Sequence, residues 1–457
     1  MVMKITALGG VNEIGGNAFL LAMDSANLLL DFGRSFSREN IYFSGFLQPR
    51  TKIGLKDLLE FDIIPAIPEL YAEDFQKEFP PKAASNLHIH SCFLSHAHID
   101  HFGNLNLLNE RIPVYMGETA KTIIQSIQET SRPRFGRPYV KVATEQQPSN
   151  VRTFRTGDVI QIPGVDVTPI HVDHSLPGSY GFIVEDRNTD ITIGYSGDLR
   201  LHGWRQDLTE DFIKKAKHIN LNALLMEGTN VNEDFEDNEA NVQRDMAIAI
   251  SETEGLVIAN YSLRDIDRFR SIYLSAKATD RKLLIPPRQA HLLRLLQDDV
   301  HLDIPSLSDP HIEVYKRQKS RYYRWETSVF DDPDITTTDS PNFDQTEYIF
   351  HCDFWNLTDL IDIHPQAQSV FIYSHGDPFD EEGLIDFKRL QQWTEFFHLD
   401  FKQLHASGHA PRRDLKRIVE SISPDLLIPI HSEHPDMYQD LTDIPILLVT
   451  RGRAIAI

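Results

Sequence analysis

Between Ser95 and His101 the chain reads Ser-His-Ala-His-Ile-Asp-His. His96, His98, Asp100 and His101 thus place three imidazoles and a carboxylate within six positions, and these are the groups a divalent zinc or a similar first-row metal takes as ligands. A lone pair of histidines is commonly a core or surface feature; four ligand-type residues this close read as a metal site. The apolar run Cys92-Phe93-Leu94 just before them reads as the end of a buried strand, so the cluster sits on a strand-end loop. The remaining ligands should then be His or Asp at other strand ends. His174 in Val172-Asp173-His174-Ser175, Asp198 in Tyr195-Ser196-Gly197-Asp198, and His431 after the run Leu426 to Ile430 all meet that condition. Asp31, closing a strand at Asp31-Phe32-Gly33, is the candidate carboxylate behind the ligands, fixing a ligand histidine or its loop. The other histidines read as structural. His88 and His90 alternate on the strand leading to the cluster, one of them facing the core; His171 lies within its strand; His375 and His405 lack ligand context.

The elements that must carry these residues follow from periodicity and turn signals. Short strands are expected at Ile5–Leu8, Ala18–Met23 and Asn27–Leu30. Residues 35–85 form a long, Pro-rich, irregular stretch with one helix near Ile53–Phe61. Strand and helix signals then alternate through Val114-Tyr115, Thr119–Glu129, Val165–Ile170, Gly181–Glu185 and Ile191–Tyr195, a mixture expected of sheets flanked by helices in an α/β sandwich. From about Gly228 a cleaner βα alternation begins, with helices at Asn238–Glu252, Arg264–Lys277 and Gln289–Gln297 and strands at Leu256–Tyr261, Lys282–Ile285 and Val370–Tyr373. That pattern predicts a parallel α/β domain. The Thr-rich, acidic Asp331–Asp344 stretch reads as a loop. Because ligand-type residues return after Phe401, the simplest organisation is a first domain over residues 1–228, an inserted domain over 229–402, and a completing segment over 403–457.

Bulk properties bound the reading. The 457 residues suffice for two or three domains, with 41% hydrophobic and 25% charged residues as in an ordinary soluble globular protein. No run of about 18 apolar residues could span a bilayer, and Met1-Val2-Met3-Lys4 shows no signal-peptide pattern. Cys92 and Cys352 cannot build a disulfide framework and read as free thiols in a reducing cytoplasm. A net charge of −22 argues against a surface that coats polyanions. It leaves a nucleic-acid enzyme open, since bound metals and local basic loops set the field at a site.

The spacing His96-x-His98-x-Asp100-His101 resembles the HxHxDH signature of the metallo-β-lactamase superfamily, whose sites usually hold two metals. In a two-metal site His96, His98, His174 and Asp198 would hold one ion, and Asp100, His101, His431 and a shared Asp198 the other. The expected cofactors are two divalent ions, zinc in the first place and manganese as the alternative. Two dications outweigh Asp100, Asp198 and a bridging hydroxide, leaving a positive centre suited to a phosphodiester. The order of motifs, from Asp31 through His96–His101, His174, Asp198 and Glu227 to Ser407-Gly408-His409 and His431, is similar to the beta-CASP branch, which acts on nucleic acids. A histidine at the last motif is typical of its RNA-directed members. Gly9-Gly10-Val11-Asn12-Glu13-Ile14-Gly15-Gly16, together with His174-Ser175-Leu176-Pro177, resembles the ribonuclease J family in particular. The resemblance implies a metallo-β-lactamase αββα sandwich with an inserted parallel beta-CASP domain. It implies a cytoplasmic ribonuclease acting 5′-to-3′ on single-stranded RNA, with endonuclease activity as well and a homodimer as the assembly to look for. Residues 35–85 exceed the family's usual length, and residues 300–345 match none of its pattern. A DNA nuclease on the same core and a non-catalytic RNA-binding scaffold are the rival readings.

Chemistry assigns the later residues. Asp100 serves catalysis as an anionic ligand. His409 could stabilise a charged transition state or protonate the leaving oxygen, with Glu227 orienting it. Pro411 can open a helix whose Leu415, Ile418, Val419 and Ile422 share one face. Ser407, Gly408 and His409 would then form a phosphate cradle at its N-terminus. Two basic, aromatic-bearing stretches are candidate RNA contacts: Arg132 and Arg134 in the first, Arg321, Tyr322, Tyr323 and Arg324 in the second.

Overall fold

The computed structural model describes residues 3–79, 87–141, 149–376, 378 and 381–457, so residues 80–85 of the irregular stretch lie outside the described residues. The chain divides into two compact units. One comprises Met1–Leu201, Arg205–Phe235 and Gly408–Ile457; the other comprises His202–Trp204 and Glu236–Ser407.

The first unit contains two sheets. One orders the strands Ala454–Ala456, Lys4–Gly9, Ala18–Ala22, Asn27–Leu30, Ser91–Leu94, Val114–Gly117 and Val151–Phe154. It is antiparallel up to Asn27–Leu30 and parallel from there on. The other orders Leu427–Ile430, Ala223–Glu227, Ile191–Tyr195, Ser179–Asp186, Val165–Val172 and Ile160–Ile162. Alternation along the strands sends Ile5, Phe19, Leu21, Leu28, Leu30 and Phe93 into a core shared with Val167, Phe182, Val184, Tyr195, Leu225 and Ile430 of the second sheet. On the outer face of that second sheet, Val172, Ile183, Leu224 and Met226 pack against Phe212 and Ala216 of the helix Gln206–Ile219. Leu415, Ile418, Val419 and Ile422 of the helix Arg412–Ile422 join the same cluster, and burying each is worth about 1.5–3 kcal/mol. The helix Glu118–Thr130 packs on the first sheet at Val114–Gly117 and Val151–Phe154. This is an αββα sandwich.

The second unit is built on seven parallel strands in the order Thr337–Thr338, Ile312–Tyr315, Lys282–Ile285, Tyr348–His351, Val257–Asn260, Val370–Tyr373 and Asp400–Gln403. Its inner strands are buried on both faces, which is why Val257-Ile258-Ala259 and Leu283-Leu284-Ile285 read as unbroken apolar runs.

Several expectations need correction. The unit boundary lies at 235/236 rather than 228/229, because Asn230 bridges to Pro411 and Glu233 accepts the Arg412 N–H at 2.8 Å. Residues 403–407 stay with the second unit, since Asp400–Gln403 pairs with Val370–Tyr373 and the Leu404 N–H continues that ladder onto Tyr373. The stretch 300–345 supplies the edge strand Thr337–Thr338, its neighbour Ile312–Tyr315 and the helix Arg324–Phe330. The 35–85 stretch carries a second helix, Phe36–Tyr42, capped by the Ser35 hydroxyl on the Arg38 N–H. His88 and His90 precede the strand Ser91–Leu94 and neither is buried; His90 Nδ1 accepts the Asn27 N–H at 3.0 Å.

Candidate metal centre

Parallel pairing lines up the strand ends that carry the site. Asn27–Leu30 and Ser91–Leu94 are parallel neighbours, so Asp31 and the His96–His101 loop leave the first sheet side by side. In the second sheet Ile191–Tyr195, Ala223–Glu227 and Leu427–Ile430 are also parallel neighbours, and they end at Asp198, Glu227 and His431. Within the ligand loop, His98 caps the single helical turn Ile99–Phe102, which places Asp100 and His101 one after the other on that turn. Asp31 (φ 57°) and His431 (φ 49°) both take the left-handed backbone conformation, a strain that functional sites commonly hold.

Two groups of donors result. His96, His98, His174 and Asp198 present ligand atoms within 4.8 Å of one another, and so do Asp100, His101, Asp198 and His431. In the first, His98 Nδ1 lies 2.9 Å from His96 Nε2 and 3.0 Å from His174 Nε2. In the second, His431 Nε2 lies 3.2 Å from Asp100 Oδ2. Asp198 belongs to both: its Oδ2 is 3.5 Å from His96 Nε2, 3.0 Å from His101 Nε2 and 3.6 Å from His431 Nε2. Neither oxygen of this buried carboxylate has a hydrogen-bond partner among the described residues. A buried carboxylate faced by imidazole nitrogens but held by no well-formed hydrogen bond is costly unless a cation compensates it, so the donor set fits divalent metal.

Groups behind the ligands set their tautomers. Asp31, fully buried, accepts from the Ser95 N–H (2.7 Å), the Ser95 hydroxyl (2.8 Å), the Tyr195 hydroxyl (2.6 Å) and His101 Nδ1 (2.8 Å). His101 therefore turns Nε2 toward Asp198. His174 Nδ1 donates to the Gly408 carbonyl at 2.5 Å, which leaves its Nε2 for the first group. Burial, reinforced by neighbouring imidazoles, holds His96 and His174 well below the ordinary histidine range, so both keep a free lone pair. Burial works against protonating His101 too, but the carboxylates of Asp198, Asp100 and Asp31 outweigh it and raise its pKa well above the ordinary value.

A third group adjoins these two. Glu227, fully buried, accepts from the Leu199 N–H and from His409 Nδ1, both at 3.1 Å, and from the Thr229 N–H at 3.1 Å. Burial would lower the His409 pKa, but the carboxylates of Glu227 and Asp198 push it up to about 9. The Thr229 hydroxyl lies 3.1 Å from His409 Nδ1 and 2.8 Å from His431 Nδ1, coupling the two rings.

Comparison with known proteins agrees with this geometry. Residues 63–254 match a beta-lactamase superfamily domain, and residues 398–441 match a Zn-dependent metallo-hydrolase RNA specificity domain. Ribonuclease J of Sinorhizobium meliloti is 22% identical over 443 residues, covering 93% of this chain and 68% of its own length. Residues 63–254 thus resemble a beta-lactamase superfamily domain, and over most of its length the chain is similar to proteins named ribonuclease J. Ribonuclease J of Mycoplasma pneumoniae is 24% identical over 447 residues, covering 95% of this chain and 68% of the relative. That of Helicobacter pylori is 21% identical over 442 residues, covering 94% and 56%. The chain thus spans between about half and two thirds of the length of these relatives. A crystal structure of an Enterococcus faecalis protein of unknown function aligns over 100% of both chains, with a TM-score of 0.76 and 21% identity, and shows the same fold.

Not every candidate residue falls into the centre. The phosphate cradle expected at Ser407, Gly408 and His409 is already taken by the chain itself. The first helical N–H groups, of Arg412 and Arg413, donate to the Glu233 carbonyl and the Asp234 carboxylate, each at 2.8 Å. The Ser407 and Gly408 carbonyls face His202 and His174. Of the first basic stretch, Arg132 is exposed, whereas Arg134 donates twice to the buried Glu39, at 2.7 and 3.1 Å, and holds the Phe36–Tyr42 helix. Tyr322 packs edge-on against Phe330. Arg321, Arg324 and the 69%-exposed Tyr323 face solvent, and neither arginine has an ion-pair partner among the described residues. Sequence reasoning missed Ser95, Thr229 and Tyr195. Ser95 directly precedes the ligand run, a signal that was available; Tyr195 looks like any core strand residue until Asp31 is seen beneath it.

Among the described residues no helix is long and apolar enough to cross a membrane.

Proposed function

We propose that this chain is a metal-dependent ribonuclease of RNA processing or decay, hydrolysing phosphodiester bonds of single-stranded RNA in the cytoplasm. The observation that carries the reading is the pair of ligand groups sharing the buried Asp198, with the Glu227–His409 pair beside them. The ribonuclease J names of the relatives and the RNA specificity description of the 398–441 match support RNA as the substrate class. His96, His98, His174 and Asp198 would hold one divalent ion, and Asp100, His101, Asp198 and His431 a second, zinc before manganese. Ions held there supply activation of water and neutralisation of phosphoryl charge.

The protein's own residues then have definable tasks. Glu227 holds His409 by Nδ1, so Nε2 is the atom presented to a substrate oxygen, and the imidazolium can neutralise charge there or release a proton to the leaving group. Asp31 and the Gly408 carbonyl keep the His101 and His174 rings in register. Degradation proceeds 5′-to-3′ from an end, with internal cleavage on long unstructured RNA. Incubating 5′-labelled and 3′-labelled single-stranded RNA, beside matched DNA, with zinc or manganese tests this. Mononucleotide release from the 5′-labelled strand is expected; shortening from the 3′ end refutes the direction, and faster turnover of DNA refutes the substrate class. Binding of RNA without turnover, at under one ion per chain, would favour a scaffold.

A further inference from the structure

The glycine-rich opening holds a carboxylate that none of the chemistry above uses. Glu13 is 3% exposed. Its oxygens accept from the Gly10 N–H (3.1 Å), the Ser35 hydroxyl (2.5 Å) and the Ser37 hydroxyl (2.7 Å), and Arg38 Nη2 pairs with it at 2.9 Å. One acidic side chain therefore ties the 10–13 turn to the 35–38 segment.

The turn, and the residues 32–34 that run directly into Ser35, are fastened to one half of the metal centre. The Gly10 carbonyl accepts the His431 N–H at 2.8 Å, and the Glu13 backbone bridges to Ser432, so the turn holds the left-handed ligand residue from both sides. On the other side, Phe32, Gly33 and Arg34 donate to the carbonyls of His101, Asn17 and Ile99, and the Asn17 N–H donates to the Asp100 carbonyl at 3.0 Å. The fit is close. A Cβ on Gly15 would lie 2.7 Å from the Asp100 Cβ, and one on Gly33 would lie 1.6 Å from the Asp100 carbonyl oxygen. Asp100, His101 and His431 thus stand on backbone that Glu13 clamps. Among the described residues, the contacts of Glu13, Gly10 and Ser35 do not run to His96 or His174, whose hydrogen-bond partners are Ser95, His98 and the Gly408 carbonyl.

We propose that Glu13 is a positioning residue for the Asp100–His101–His431 half of the centre, acting through Gly10 and Ser35 and touching no ligand. The inference rests on the two-ion reading of the site. Removing a group that orients metal ligands typically lowers affinity about 10–100-fold, and here the loss should fall on one ion of two. The selectivity follows from the map of contacts, since a general loss of stability would weaken both halves.

The test is a cobalt titration of the apoprotein, following visible absorption and binding heat, for wild type, Glu13→Ala, Glu13→Gln and Ser35→Ala. Two ions bound by wild type confirm the platform; a single ion refutes the two-ion reading, a failure distinct from that of the Glu13 inference. Glu13→Ala should keep one tight site and lose about 10–100-fold in the other, Glu13→Gln should recover part of the loss, and Ser35→Ala should show a smaller loss of the same kind. In RNA hydrolysis kcat should fall with KM nearly unchanged. If Glu13→Ala does not fold, Glu13→Gln and Ser35→Ala carry the test alone. Unchanged affinities in the folded variants, or equal weakening of both ions, would overturn the proposal.

Discussion

Asp31→Asn should loosen one metal ion without unfolding the protein, and the magnitude can be worked from its contacts. Asp31 accepts four hydrogen bonds at 2.6–2.8 Å from a fully buried position. Three of them, from Ser95 Oγ, His101 Nδ1 and Tyr195, converge on Oδ2, and only the Ser95 N–H reaches Oδ1. An asparagine can keep its carbonyl at the crowded position, but its NH2 then opposes the Ser95 N–H. Leaving one buried donor unpaired costs about 1–3 kcal/mol, and the three other bonds lose their charge assistance. A total of roughly 2–5 kcal/mol follows, within what a domain of this size tolerates. Asparagine adds little backbone strain at φ 57°, since it accepts the left-handed region at least as readily as aspartate. The larger effect is on His101, whose Nδ1 loses an anionic acceptor, so Nε2 becomes a poorer ligand by about 10–100-fold in affinity. His96 is affected only through the Ser95 hydroxyl, which lies 3.0 Å from its Nδ1. Competition against a chelator of known affinity, with circular dichroism as the control for folding, measures this directly. Wild-type affinity for both ions in a folded Asp31→Asn protein would refute the reasoning.

Four further outcomes are expected. His431→Ala should lose about one metal per chain and most activity while staying folded; full metal content by elemental analysis would remove His431 from the site. Glu227→Gln should move the alkaline limb of the kcat/KM profile to lower pH, because the Glu227 carboxylate is the main force raising His409 to about 9 against burial; an unmoved limb would separate His409 from the rate. Replacing Arg321 and Arg324 by Gln should lower the salt slope of RNA binding by about one unit per lost phosphate contact, and an unchanged slope would leave them as solvated surface. In the second unit, burial, with smaller effects from His351 and Arg268, depresses His375 to about 4. The unfolded chain then binds more protons between pH 4 and 6.5, so the stability this neutral histidine contributes above pH 6.5 is lost as pH falls toward 4. Urea unfolding across that window should show the slope in wild type and a flatter one in His375→Gln.

The ligand types and the strand ends that carry them were legible because both are local. An apolar run followed by His or Asp needs no partner to be recognised, and the six-residue cluster at His96–His101 leaves few other chemistries. The βα alternation after Gly228 was legible for the same reason, as strands buried on both faces write continuous apolar runs. Other features depend on residues far apart in the chain. Arg134 looks like an RNA contact until Glu39, 95 positions earlier, is found beneath it. The helix at Arg412 looks like an anion site until Glu233 and Asp234 fill its first turn. The Gln206–Ile219 helix, absent from the expected elements, is revealed by Phe212 and Ala216 packing on the second sheet. Side-chain type and periodicity specify which groups are offered and on which face. Which charges remain free is decided by pairing across the fold, because a buried carboxylate takes whichever cation the topology brings to it.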